Sequence, residues 1–281
     1  MRLAAGVVAA ASALVLVPSA LASFIVDRNA HGVTLRVSGG TAIVNWTEGG
    51  ARRHALLSGA VNARAPQANV PQVAFRVRYG YGAQPGGSCR AYDGPALPQL
   101  VAACTAPDGS YWALQSWARL MPNYGGSSAP VELHASHWSG EVPKLEVWMD
   151  WSYGGRFEHL FGRFTYLGTP VYGFRATRTG NPLDAYGRNM YLDTLDSSYG
   201  SGWRRENSFL AHKGTGVFCY GFYPHRGRPG TGSRYRILVQ GPGVTPIVGW
   251  TGAAPGSFDH GVDDSMNELM RSFGDPLCRQ R

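Results

Sequence analysis

Glycine and proline punctuate this chain so densely that long helices have little room between them. There are 38 Gly and 18 Pro among 281 residues, scattered without a fixed period. Collagen, which needs Gly at every third position, is excluded, and short strands joined by tight turns are favoured. Charged residues make up only 16% of the chain, too few for a coiled coil. A hydrophobic content of 44% with 12% aromatics rules out global disorder.

Alternation of apolar and polar residues supplies the strands. Val33 to Val37 alternates, Gly39-Gly40 turns, and Ala42 to Trp46 runs on, which reads as a hairpin. Val73 to Tyr81 places Val73, Phe75, Val77, Tyr79 and Tyr81 on one side and Arg76 and Arg78 on the other. Further strands are expected over 145–151, 161–167, 171–177, 189–195, 217–223 and 235–240, while 111–117 suits a strand or a helix. One helix is expected at about 264–273. Met266, Leu269, Met270 and Phe273 form its apolar stripe, Ser265 to Glu268 fits a capping box, and Gly274 and Pro276 stop it. The expected fold is all-β, mainly antiparallel, sandwich or jelly-roll-like, with one short C-terminal α-helix. A β-hairpin region over 23–62, a linker or long loop over 63–72 and a main β-rich domain over 73–281 divide the chain.

Residues 1–22 read as a signal peptide: Arg2, an apolar run from Leu3 to Val17, and a small-x-small end at Ala20-Leu21-Ala22. A retained N-terminal anchor is the alternative. The expected location is therefore secreted or envelope-associated. In that oxidising setting four cysteines imply two disulfides, expected as Cys89–Cys104 and Cys219–Cys278. A nucleophilic Cys219 is the competing reading, but Val217-Phe218-Cys219-Tyr220 lacks the Ser-x-Gly-Cys-x-Arg pattern of cysteine L,D-transpeptidases. The formal charge is +8, carried by arginine except for Lys144 and Lys213. Such a chain attracts anionic polymers. No dense basic run marks it for specific nucleic-acid binding.

Three groups of residues are candidates for chemistry. On a strand, Glu146, Trp148 and Asp150 share one face, and two acids flanking a Trp suggest a glycosidase pair. Four residues of strand separate their Cα atoms by about 13 Å. The Glu-x-Asp-x-Glu strand of jelly-roll β-glucanases is not reproduced, because Trp148 stands at the centre. Trp148 and Tyr153 are candidate sugar-stacking rings. Trp203, Arg204 and Arg205, expected on a Gly-flanked loop, are candidates for gripping an anionic ligand through guanidinium forks. Asp184, Asp193 and Asp196 offer oxygen ligands for a structural Ca²⁺, although turn-forming Asp explains them without a metal. His134 and His137 are three apart and point to opposite faces of a strand, so they make no zinc pair. Eight tyrosines precede glycine, among them Tyr79, Tyr199 and Tyr220, which fits strand ends or exposed rings beside bending backbone.

No complete catalytic motif emerges. The leading expectation is a noncatalytic protein that binds cell-envelope or extracellular carbohydrate or an anionic envelope polymer. A secreted hydrolase of polysaccharide or peptidoglycan is one alternative, and a structural envelope protein that binds other proteins is another.

Overall fold

The computed structural model describes residues 23–59, 61–67, 70, 72–80, 86–118, 130–151, 158–171, 189–206, 208–212, 215–222, 232–254 and 259–273. The expected signal segment, Tyr153, Asp184 and Cys278 lie outside these residues, as does most of the expected strand at 171–177. The strands are β1 (Phe24–Arg28), β2 (His31–Ser38), β3 (Thr41–Glu48), β4 (Ala51–Gly59), β5 (Phe75–Gly80), β6 (Arg90–Ala91), β7 (Leu100–Thr105), β8 (Tyr111–Ala118) and β9 (Val131–Trp138). They continue as β10 (Lys144–Trp151), β11 (Glu158–Tyr166), β12 (Thr169–Pro170), β13 (Met190–Ser197), β14 (Gly200–Arg205), β15 (Ser208–His212), β16 (Val217–Phe222), β17 (Arg234–Val239) and β18 (Val248–Ala253). The helix α1 (His260–Ser272) follows. The fold is all-β and antiparallel with a single C-terminal helix.

The strands form four sheets that pack in pairs. Sheet A has the order β1-β9-β8-β7-β6, and sheet B has β2-β3-β4-β5. Ala42, Val44 and Trp46 of β3 and Ala55 and Leu57 of β4 point inward against Trp112, Leu114, Leu133 and Ala135 of sheet A. The period-2 alternation of these strands puts their apolar residues on the shared face. Residues 111–117, ambiguous by sequence, are strand β8 because β7 and β9 flank it on both sides. Cys89 and Cys104 are bonded, stapling the segment before β6 to β7. Cys219 is also disulfide-bonded, and its expected partner Cys278 lies outside the described residues.

Sheet C (β10-β11-β16-β15) and sheet D (β14-β13-β17-β18) make the second sandwich. Its core is Leu160, Phe164, Met190, Leu192, Phe218, Tyr220, Tyr235 and Ile237 with their neighbours. Within sheet C, Gly162 of β11 has no room for a side chain: a Cβ there would run into the Phe218 ring of β16 and the Glu146 carbonyl of β10. Residues 63–72 connect β4 to β5, which pair directly, and Ala63 is buried in this second core.

The two sandwiches meet face to face, sheet A against sheet D. Trp117 of β8 packs on Tyr191, Leu238 and Ile247. Elsewhere this seam is polar. Gln115 donates to the Pro98 and Ile247 carbonyls, both at 2.8 Å, and accepts from the Ile247 N–H at 2.9 Å. Buried amides persist only when satisfied in this way.

Helix α1 lies on the outer face of sheet C. Met270 is buried there, with Met266 and Phe273 beside it, against Phe161, Val217 and Cys219. The apolar stripe therefore docks as its spacing requires. The helix begins earlier than the expected 264. Asp259 is the N-cap, its side chain accepting from Val262 N–H at 3.0 Å. Ser265, expected as the cap, sits inside the helix and donates to the Gly261 carbonyl. An aspartate preceding the first turn captured the free N–H groups before the serine could.

Candidate functional site

A cavity of about 430 Å³ opens at the edge of the first sandwich, lined by Val26, Asp27, Trp46, Arg53, His54, Tyr79 and Gly80. That volume suits a small ligand or a few units of a chain. Asp27 comes from the edge strand β1 of sheet A. Trp46, Arg53 and Tyr79 come from β3, β4 and β5 of sheet B, where alternation turns them toward sheet A. Gly80 is opposite His54, and a Cβ on it would lie 3.3 Å from the His54 Nε2. The bare glycine thus leaves the imidazole its place in the wall.

The polar groups of the cavity are anchored. The Trp46 indole N–H donates to Asp27 Oδ2 at 2.6 Å, and Asp27 Oδ1 accepts from the Arg28 N–H at 2.8 Å. Arg53 reaches Glu48 at 2.5 Å and Asp27 at 3.9 Å, so one guanidinium faces two carboxylates. Tyr79 donates its hydroxyl to the Val26 carbonyl at 2.9 Å, and its ring stands edge-on to Trp46. Burial of the hydroxyl, assisted by the negative charge of Asp27, raises the Tyr79 pKa above the usual phenol value. Tyr79 is nonetheless 54% exposed. Its hydroxyl is tied down while its ring faces solvent.

No protein-family model, curated protein or solved structure matches this chain.

Its site is read from its own residues. The expected strand 145–151 falls in β10, and alternation holds: Leu145, Val147 and Met149 pack into the second core. Glu146 and Trp148 turn the other way. Glu146 is exposed opposite Arg163 of β11. Trp148 is half-buried and stacks on Phe273 of the α1 end at 5.7 Å, and the Arg163 guanidinium lies 5.3 Å from the same ring. The face that alternation offers to a ligand is thus met by the chain's own helix. Asp150 belongs to the same strand opposite His159. The side chains of Asp150 and Trp151 lie outside the described residues.

Trp203, Arg204 and Arg205, expected on a loop, are instead on strand β14, which pairs with β13 across a two-residue turn. Arg205 is buried and donates to Asp193 at 2.5 Å and to the Ala118 carbonyl at 2.8 Å. Arg236 holds the other Asp193 oxygen at 2.7 Å and lies over the Trp203 ring. Burial alone would push the Asp193 carboxyl up, but the two guanidiniums outweigh it and hold it below its ordinary value. Asp193 is therefore an ion-pair centre. Asp196 accepts from the Gly202 N–H in the same hairpin. Among the described residues no three His, Cys, Asp or Glu side chains are grouped to hold a metal.

One further alignment has the ingredients of a hydrolytic triad. Ser23 Oγ lies 3.1 Å from His134 Nδ1, and His134 Nε2 lies 3.1 Å from Glu132 Oε2. Glu132 is paired in turn with Arg28. Ser23 and His134 have no exposed surface, and Glu132 has 1%. A nucleophile needs substrate contact. This row is sealed in the interior and serves to satisfy its own polar groups. His137 points to the opposite face, as expected, and stacks on Trp112 at 3.7 Å.

Alternation puts Trp46 and Tyr79 on strands but marks neither as part of a site. The usable signal was the Tyr79-Gly80 step. Of the other Tyr-Gly steps, Tyr220 is buried in β16 and Tyr199 sits in the β13–β14 turn, while Tyr81, Tyr124, Tyr153, Tyr172 and Tyr186 lie outside the described residues.

Proposed function

We propose that this protein is an exported, noncatalytic binder of envelope or extracellular carbohydrate, with the edge cavity as its site. The observation that carries the reading is Tyr79, a solvent-facing ring whose hydroxyl is fixed by the Val26 carbonyl. A pre-positioned ring loses little freedom on binding. The apolar face of a sugar stacks on such a ring. Around it Asp27 accepts, Arg53 donates, and His54 does either, which matches the hydroxyls of a saccharide. Binding is favoured over hydrolysis because Asp27, the one carboxylate among the described residues of the cavity wall, has both oxygens engaged by N–H donors. The Cys89–Cys104 disulfide agrees with an oxidising compartment.

The test is titration of the purified protein with oligosaccharides of envelope and extracellular polymers, beside the Tyr79→Ala variant. The expected result is binding by the wild type, lost in Tyr79→Ala with the melting temperature nearly unchanged. Equal binding by Tyr79→Ala, or no binding by the wild type across the panel, overturns the reading.

A further inference from the structure

The outward face of sheet B carries a one-sided charge. The strand registers align Arg78 of β5, Leu56 of β4, Ile43 of β3 and Arg36 of β2 in one row across the sheet. Arg76 is two residues from Arg78 on the same face, and Arg52 joins it from β4. All four arginines are exposed. The other described side chains of this face are hydroxyl, amide, imidazole or apolar, and none is a carboxylate. Asp27 and Glu48, the nearest acids of the cavity, engage Arg53, whose side chain points the other way.

We infer that this face continues the edge cavity and binds a polyanionic saccharide chain, one bearing carboxylate groups along its length. The inference rests on the glycan reading above and names its ligand class. Strand spacing puts Arg76 and Arg78 about 7 Å apart and Arg36 about 14 Å from Arg78. Cations spread over such distances engage successive charges of a polymer, not one small anion. Ile43, in the middle of the row, is fully buried, so the chain meets guanidinium heads and not an apolar floor. His54 and Gly80 belong both to this face and to the cavity wall, which makes the two continuous. Asp27 in that wall separates the polymers by hydrogen bonding: between its charges a saccharide chain carries hydroxyls that donate to a carboxylate, whereas a phosphodiester backbone offers it no donor.

The experiment compares polygalacturonate, neutral dextran and a duplex DNA fragment on the whole protein at about 50 and about 500 mM salt, between which the screening length falls from about 14 to about 4 Å. The expected result is tightest binding of polygalacturonate, sharply weakened by salt. The Arg76→Gln/Arg78→Gln variant should bind it about five- to tenfold more weakly, the worth of two exposed ion pairs, with an unchanged melting temperature. Equal, salt-insensitive binding of polygalacturonate and dextran overturns this inference and leaves the glycan reading standing. DNA binding as tight as that of polygalacturonate overturns the assignment to a saccharide. Binding of neither polysaccharide overturns both readings.

Discussion

Trp46 donates its indole N–H to the carboxylate of Asp27 across 2.6 Å, joining the inner side of sheet B to the edge strand of sheet A at the mouth of the cavity. Trp46 itself is almost wholly buried. A buried indole N–H without an acceptor is costly, so this bond both closes the sandwich and orients the carboxylate.

Removing the acceptor should therefore be felt in stability and in binding. Asp27→Ala is expected to cost about 1–3 kcal/mol by stranding the Trp46 N–H. Asp27→Asn keeps an acceptor oxygen and should cost less while still weakening glycan binding. Urea titrations of both variants check this. Equal losses for the two would show that the indole bond is not the source.

The Asp193 pair makes a prediction about acid. Its carboxyl is held below the ordinary aspartate value in the folded chain, because the two arginines outweigh burial. A depressed folded pKa contributes stability that is present above the unfolded value and lost as pH falls toward the folded one. Asp193→Asn removes the carboxylate that Arg205 and Arg236 share, and should cost about 3–5 kcal/mol at neutral pH. Below pH about 4 the gap between variant and wild type should narrow. Urea midpoints measured across that range decide it, and a constant gap would refute the linkage.

Cys89 and Cys104 close a loop with a sequence separation of 15. A loop of that length is worth about 3 kcal/mol in the chain-entropy account. The Cys89→Ala/Cys104→Ala double variant should be less stable by about that amount. Thiol titration of the unfolded, unreduced wild type should detect neither cysteine. A reactive thiol at either position would contradict the bond.

On sheet C, Phe161 and Trp148 face each other in adjacent strands, yet only Phe161 is fully buried. Phe161→Ala should destabilise by about 3–5 kcal/mol. Trp148→Ala should cost clearly less, since its ring rests on Phe273 with one side toward solvent. Thermal melts of the pair test the burial order. A larger loss for Trp148→Ala would mean that α1 seals that face completely.

Alternation along the chain determined a good deal alone. Each residue's side in β3, β5 and β10 follows from the period-2 geometry of an extended backbone, a local covalent property. The apolar stripe of α1 was legible for the same reason, with a 3.6-residue period. The helix start was less so, because two acceptors, Asp259 and Ser265, could each serve as cap, and which of them captured the free N–H groups is not encoded in spacing.

The stacking of faces was decided only in three dimensions. Alternation assigned Glu146 and Trp148 to one side of β10 but held no information that α1, over a hundred residues later, would cover it. Trp203 to Arg205 joined a sheet because β13 offered an antiparallel partner, and Arg205 then met Asp193 rather than solvent. The cavity shows the limit most clearly. Asp27, Trp46 and Tyr79 are separated by 19 and by more than 30 residues, and the bond from Tyr79 to Val26 spans 53. Side-chain direction is fixed within a residue or two, whereas the meeting of two sheet edges depends on how whole apolar faces bury against each other, and only that packing put an acid, an arginine and a fixed ring around one space.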